Sequence, residues 1–213
     1  MCHNKKNDLV EKAAWRFQGP FDPSGNVRLN LFKGKPLLEL RLCAKSYHEA
    51  AKTLLEKSEQ AELPDYELYP CIYLYRHSLE LYLKAAKIGA CQYLEMIEKR
   101  QWKIEDILNR HTLVDKIPIL EEIHEKMELS FDFSEMKELI HDIEIIDGQS
   151  MNFRYPITKD GIPLLSSKTS INLFLLAQNL DNIFVELEGI VLFIEDAISN
   201  MQREIAENRH ELD

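Results

Sequence analysis

The stretch YPCIYLYRHSLELYLKAAKIG, residues 69–89, is apolar on almost every side of a helical wheel. An apolar surface all round is typical of a central helix that packs against several others. Gly89 is expected to end or kink this helix, and the following CQYLEMIEKRQW, residues 91–102, is predicted to form a shorter one. The chain is therefore predicted to fold around one central, largely buried helix.

The segments on either side of this stretch also carry helical periodicity. Pro36 favours the first turn of a helix, and Thr112, Ser134 and Ser170 are candidate N-caps. The last helix is predicted to be long, with about forty residues. The further predicted helical segments are residues 36–60, 111–127, 134–147 and 171–212.

Residues 1–35 have a different pattern. The turn-forming stretches GPFDPSGN and KGKP bracket VRLNLF, in which Val27, Leu29 and Leu31 alternate with polar residues. This pattern predicts a short N-terminal arm that is extended or β-like. Residues 36–213 are predicted to form an all-α helical bundle that ends in the long helix.

The chain has 213 residues, 45% apolar content and a net charge of −10. The charge is uneven, because residues 1–52 have a balance of +5 and residues 53–213 a balance of −15. A broad nucleic-acid-binding surface needs clustered Lys and Arg, so any contact with a polyanion is expected to be local, most plausibly through the N-terminal third. The N-terminus has no apolar run behind its charges, which predicts a cytoplasmic protein.

Several kinds of site have little support in the sequence. The four cysteines show no C-x-x-C spacing, and the apolar stretches are too short to span a membrane. Nucleotide-binding and serine-hydrolase motifs are absent, so no cofactor is expected. The E-x-x-H spacing used in di-iron bundles occurs three times, but His141 falls on a solvated helix face and no metal is expected. These three pairs are Glu121/His124, Glu138/His141 and Glu207/His210.

A polar band interrupts the apolar surface of the central helix. His77, Glu80 and Lys84 share one stripe at helical spacing, with Arg76 beside it. Such a band must face solvent, a partner or a buried charge network, and Glu80 can pair with Arg76 and Lys84, each four residues away. Arg154, in the loop SMNFRYPITKDGIP, is predicted to dock on Glu80, with Asp147 as the other candidate partner, because a guanidinium and a carboxylate can form a paired contact that locks a loop.

The segments YLYRHSLELYLKAA, RHTLVDKI and NFRYP together resemble HEPN-domain proteins, over roughly residues 44–198. These are small helical-bundle proteins of prokaryotic toxin–antitoxin, stress and antiviral defence systems. The resemblance implies a homodimer that cleaves RNA without a metal. It also implies a motif at the dimer cleft in which an Arg is followed, after four to six residues, by a His.

The expected position of that motif lacks its His, because no His lies in the window that follows Arg154. Two matches occur elsewhere, at Arg41/His48 and Arg203/His210. Cleavage would need a base for the 2′-hydroxyl and a cation for the developing charge on phosphorus. The candidate catalytic residues are His77 and His111 as the base, Arg76, Lys84 and Arg154 as the cation, and Glu80 beside them.

Two functions remain open from the sequence. The first is an RNA-binding or RNA-cleaving protein of a defence or stress system. The second is a non-catalytic interaction protein, whose acidic surface and long final helix would assemble with a partner chain. A homodimer formed through a long helix is expected in either case.

Overall fold

The computed structural model describes residues 34–58, 65–129, 131–165 and 170–210. The predicted N-terminal arm lies almost entirely outside these residues. The described part is all-α, as predicted, and it contains no β-strand beyond one isolated bridge between Ile157 and Pro163. Its helices are α1 (Pro36–Ser58), α2 (Asp65–Glu98), α3 (Ile104–Leu108), α4 (Ile117–Lys126), α5 (Ser134–Asp147) and α6 (Leu173–His210).

Helix α2 is the centre of the bundle. It packs against α1 and α6, and α3 and α4 also contact it. Tyr75, Leu79, Tyr82 and Leu83 on α2 are fully buried, and the aromatic ring of Phe184 on α6 packs against the two tyrosines. The apolar surface that predicted a central helix is thus the core of the fold, which confirms that prediction.

Gly89 does not end the central helix. Helix α2 continues without a break from residue 65 to residue 98, so the prediction of two separate helices is wrong. The reason is packing, because a Cβ atom on Gly89 would lie 2.9 Å from Cδ1 of Leu37 on α1 and 3.0 Å from Cγ2 of Ile194 on α6. Gly89 therefore marks a point where three helices approach one another closely.

The three predicted N-caps are also wrong. Helix α5 begins at Ser134 as predicted, but its N-cap is Phe133, so Ser134 is its first residue and not its cap. Helix α4 begins at Ile117, after a short 3₁₀ turn at Val114–Lys116, so Thr112 does not cap it. Helix α6 begins at Leu173, and the side chain of Asn172 rather than Ser170 accepts the N–H of Leu175. The predicted length of the last helix is confirmed, because α6 has 38 residues.

Candidate functional site

The polar band predicted on the central helix is a single stripe along α2. We define the polar stripe as Tyr73, Arg76, His77, Glu80, Lys84 and Lys87, which recur at helical spacing. Two irregular segments cover it, residues 108–116 over its C-terminal half and residues 147–154 over its N-terminal half. Arg76, Glu80 and Lys84 are consequently only 2%, 1% and 5% exposed. They contact other protein groups and not solvent.

A charge network joins the buried members of the stripe. Nη1 of Arg76 donates to Oε2 of Glu80 at 2.9 Å, and Nζ of Lys84 donates to Oε1 of Glu80 at 2.7 Å. Burial alone would raise the pKa of Glu80, but the hydrogen bonds and charges of Lys84, His111 and Arg76 outweigh it and lower the pKa to about 2. Glu80 is therefore ionised at neutral pH and balances two buried cations.

The cations of the stripe also bind the backbone of residues 108–116. Lys84 donates to the carbonyl of Leu108 at 2.9 Å, Arg76 to that of His111 at 3.1 Å, and Lys87 to that of Asp115 at 3.0 Å. An irregular segment leaves its carbonyls without helical partners, and burying them unpaired would be costly. The three charged donors satisfy these carbonyls and fix the segment on α2.

His111 is the member of this network that reaches the surface. Its Nδ1 lies 2.9 Å from Oε1 of Glu80, and its side chain is 51% exposed. Because an ionised carboxylate only accepts hydrogen bonds, Nδ1 must be the donor, which fixes the tautomer and leaves Nε2 as an acceptor. This arrangement can take a proton from a ligand or, when the ring is charged, donate to one.

Asp147 holds the second covering segment, and the predicted docking of Arg154 is wrong. Oδ2 of Asp147 lies 3.1 Å from Nε of Arg76. Oδ1 accepts the backbone N–H groups of Met151 at 2.6 Å and Asn152 at 2.8 Å. Arg154 contacts neither Glu80 nor Asp147, because Arg76, on the same helix as Glu80, already occupies both carboxylates.

Arg154 instead lies over an aromatic ring. Its Cζ is 5.3 Å from the ring centroid of Tyr73, and its side chain is exposed. Tyr73 stacks on His77 at 5.5 Å with an interplanar angle of 9°, and Tyr47 meets His77 edge-on at 4.6 Å. Within the described residues the side chain of Arg154 forms no hydrogen bond or ion pair. It is a positioned cation whose N–H donors face no acceptor in that part of the chain.

His77 has a different environment from His111. Its Nδ1 is buried and has no hydrogen-bond partner among the described residues. Burial lowers the pKa of His77, the charges of Arg154, Lys84 and Arg76 lower it further, and Glu80 opposes them. His77 is accordingly a neutral, aromatic member of the stack at neutral pH.

The exposed candidates do not converge on one point. His111 contacts Glu80 and Arg154 lies over Tyr73, which are seven residues apart on the same face of α2. At a rise of 1.5 Å per residue, these two positions are about 10 Å apart along the helix axis. The structure thus leaves two separated surface groups, while Arg76 and Glu80 lie beneath them as positioning residues.

Arg41 and His48, the first match to the Arg–His motif, lie on α1 and contact acidic residues of α6. Arg41 lies 3.5 Å from Glu188 and 3.4 Å from Glu195, and Nε2 of His48 lies 2.5 Å from Oδ1 of Asp181, all three acids being on α6. Both residues of the match are thus paired with carboxylates inside the α1/α6 interface. The side chain of His210, from the second match, lies outside the described residues.

The E-x-x-H pairs do not form a metal centre in the described part of the chain, where no three His, Cys, Asp or Glu side chains cluster. His124 accepts the N–H of Phe131 at 2.6 Å, which is a structural role. Within the same residues, no helix combines the length and apolarity needed to cross a bilayer.

No protein-family model, curated protein or solved structure matches the chain. The function of the chain is therefore inferred from the geometry of the site. Sequence reasoning found the polar stripe but missed the row of backbone carbonyls that it binds and the ring beneath Arg154. Tyr73 and Glu80 lie seven residues apart on one helix face, and this spacing was the sequence signal that could have indicated the ring beneath Arg154.

Proposed function

We propose that the chain is a HEPN-like protein of a prokaryotic defence or stress system, which acts in the cytoplasm and binds RNA at the surface around Arg154 and His111. The observation that carries this proposal is the guanidinium of Arg154, which is exposed, is held over Tyr73 and has no hydrogen-bond or ion-pair partner among the described residues. A guanidinium binds phosphate through paired N–H donors, and stacking on a ring reduces the freedom it loses on binding. The resemblance to HEPN proteins supports the choice of RNA.

His111 adds a second contact on the same surface. Its exposed ring edge faces outward, and its inner nitrogen is fixed by Glu80. The residues that His111 and Arg154 contact, Glu80 and Tyr73, are about 10 Å apart along the axis of α2, which is suited to contacts at different points of one strand. RNA binding by separated cationic and aromatic groups is common in proteins that recognise single strands.

The side chains of a single copy of the chain support RNA binding better than RNA cleavage. Cleavage needs the base and the cation within hydrogen-bond reach of one reacting group. Arg76 and Glu80 are buried, and His111 and Arg154 contact positions of α2 that are about 10 Å apart along the helix axis, which does not favour their action on one phosphate. A cut would require groups from a second copy of the chain at the same cleft.

Fluorescence anisotropy with a short labelled single-stranded RNA tests the proposal. Arg154→Ala is expected to weaken binding about 10-fold to 100-fold, since a charged hydrogen bond contributes about 1.5–3 kcal/mol. Arg203→Ala is the matched control, because Arg203 is equally exposed and the change in net charge is identical. Equal affinities of both variants and the unmodified protein, or no RNA binding at low salt, would contradict the proposal. Electrophoresis of the same RNA, with and without chelator, reports cleavage.

The surface of α6 favours assembly as a second candidate function. Val185, Leu192 and Phe193 are 74%, 42% and 46% exposed, and Gly189 lies between them on the same helix face. An exposed apolar stripe on a long helix is a common surface for helix pairing. Light scattering would measure the mass in solution. Val185→Glu should convert a dimer of this chain to a monomer, and a monomer without the substitution would argue against assembly through this face.

A further inference from the structure

A groove lies between the C-terminal end of α5 and the loop of residues 151–164. Its volume is about 850 Å³, which falls in the range of sites that hold small ligands. Ile145, Ile146, Met151 and Tyr155 supply apolar lining, and Asn152 and Thr158 supply hydrogen-bonding groups. An apolar cleft with a few polar groups is the usual composition of a site for a flat, partly polar ligand.

The groove is formed by a fixed backbone. Asp147 holds the N–H groups of Met151 and Asn152, both of which line it. Further along the loop, the N–H of Thr158 donates to the carbonyl of Ile162 at 2.7 Å. Because Asp147 is also paired with Arg76, the buried charge network supports one wall of the groove. A ligand would therefore meet a wall that is already ordered.

The side chains of Arg154 and Tyr155 extend from this wall of the groove in different directions. Both backbone N–H groups donate to the carbonyl of Met151 at 3.1 Å, which closes a tight turn. The side chain of Arg154 lies over Tyr73 on α2, whereas that of Tyr155 is 52% exposed and lines the groove. Two consecutive residues thus present an exposed cation and an exposed aromatic ring on neighbouring parts of the surface.

The local charge favours an anionic ligand. Residues 148–165 contain two cations, Arg154 and Lys159, and one acid, Asp160, in a chain whose net charge is −10. Lys159 itself lines the groove. A ligand that combines a planar ring with an adjoining negative charge matches both the apolar lining and the two cations of this segment.

We propose that the groove receives an unpaired base of single-stranded RNA, stacked on Tyr155, while Arg154 binds the adjoining phosphate. This inference rests on the RNA-binding function proposed above and names its substrate class. Duplex RNA keeps its bases stacked inside the helix, whereas unpaired bases can be splayed out onto aromatic side chains. The site should therefore select single strands over duplexes.

A single-stranded RNA that contains one 2-aminopurine tests the inference, because the fluorescence of this base changes when it stacks on an aromatic ring. Tyr155→Ala should weaken binding about 5-fold to 100-fold, as expected for one stacked base, and abolish the change in fluorescence. Tyr155→Phe keeps the ring and should retain both. Phe174→Ala removes a comparably exposed aromatic side chain, 51% against 52% for Tyr155, from the first turn of α6 and is the matched control. Tyr155 is exposed, so thermal melting should be unchanged in all three variants.

The outcomes separate this inference from the proposed function. If Arg154→Ala weakens binding but Tyr155→Ala does not, the groove does not hold a base, although RNA binding stands. Equal affinity for single-stranded RNA and the same sequence in a duplex would also overturn the inference. If neither form of RNA binds the unmodified protein, the inference and the proposed function both fail.

Discussion

Replacement of Glu80 by Gln should destabilise the protein by roughly 3 kcal/mol at neutral pH. The pKa of Glu80 is lowered from 4.5 to about 2, and each pKa unit corresponds to about 1.4 kcal/mol of stability. Removing one partner of a buried ion pair generally costs about 3–5 kcal/mol, which agrees with this figure. For a domain of this size the melting temperature should fall by about 6–12 °C.

The effect of Glu80→Gln should depend on pH in a defined direction. A carboxyl group whose pKa is lower in the folded protein stabilises it above the unfolded pKa, and this stability is lost as pH falls through the folded pKa. The difference between the two proteins should be full above about pH 5 and should shrink as pH falls from about 4.5 toward 2.

Urea unfolding at several pH values measures this difference. The control is Glu138→Gln, which removes an exposed carboxylate from α5 and should change stability by less than about 0.5 kcal/mol. If Glu80→Gln unfolds at the same urea concentration as the control, Glu80 does not balance the buried cations. A loss of stability that stays constant from neutral to acid pH would equally refute the reasoning.

Two further predictions concern packing and the covering loop. Gly89→Ala should destabilise the protein by up to about 2 kcal/mol, because its Cβ would lie 2.9 Å from Cδ1 of Leu37 and 3.0 Å from Cγ2 of Ile194, and an overpacking cost of about 1–3 kcal/mol is offset only in part by about 1 kcal/mol of helix propensity. The control is Gly189→Ala, whose Cβ would have no atom within 4 Å and which should gain up to about 1 kcal/mol of stability from helix propensity. If the urea midpoints of the two variants move in the same direction, the packing argument is contradicted. Asp147→Asn should release the loop of residues 148–164 and speed its cleavage in limited proteolysis, with the exposed Asp142→Asn as control. Unchanged cleavage would show that another contact holds the loop.

The helices followed from the sequence because periodicity is a local property. The central helix, the helix that begins at Pro36 and the long last helix were all predicted from apolar spacing. Gly89 was misjudged because its role depends on two other helices, α1 and α6, which approach it in the folded chain. Local propensity cannot reveal such a contact.

The polar stripe was predicted, but its pairing was predicted only in part. Spacing of four residues indicated contacts of Glu80 with Arg76 and Lys84, and the structure confirms both. Asp147 was named as a partner for Arg154, yet it pairs with Arg76. Sequence gives the number of cations and carboxylates, while the choice among long-range pairs depends on which groups are buried together.

The surface features required the folded chain. The carbonyls of residues 108–116 leave no pattern of residue types, so the cations that bind them cannot be read from sequence. The groove beside Tyr155 likewise arises from a turn and the end of α5. Both depend on how loops return to the bundle, which periodicity does not encode.

The nuclear magnetic resonance signals of the arginine Nε–H groups test the central claim most directly. Arg76 is buried in the charge network, whereas Arg154 is exposed over Tyr73. On addition of single-stranded RNA, the signal of Arg154 should shift, while those of Arg76 and the distant Arg203 stay in place. If the Arg154 signal does not move, or if the exposed arginines all move alike, Arg154 is not a specific contact for RNA.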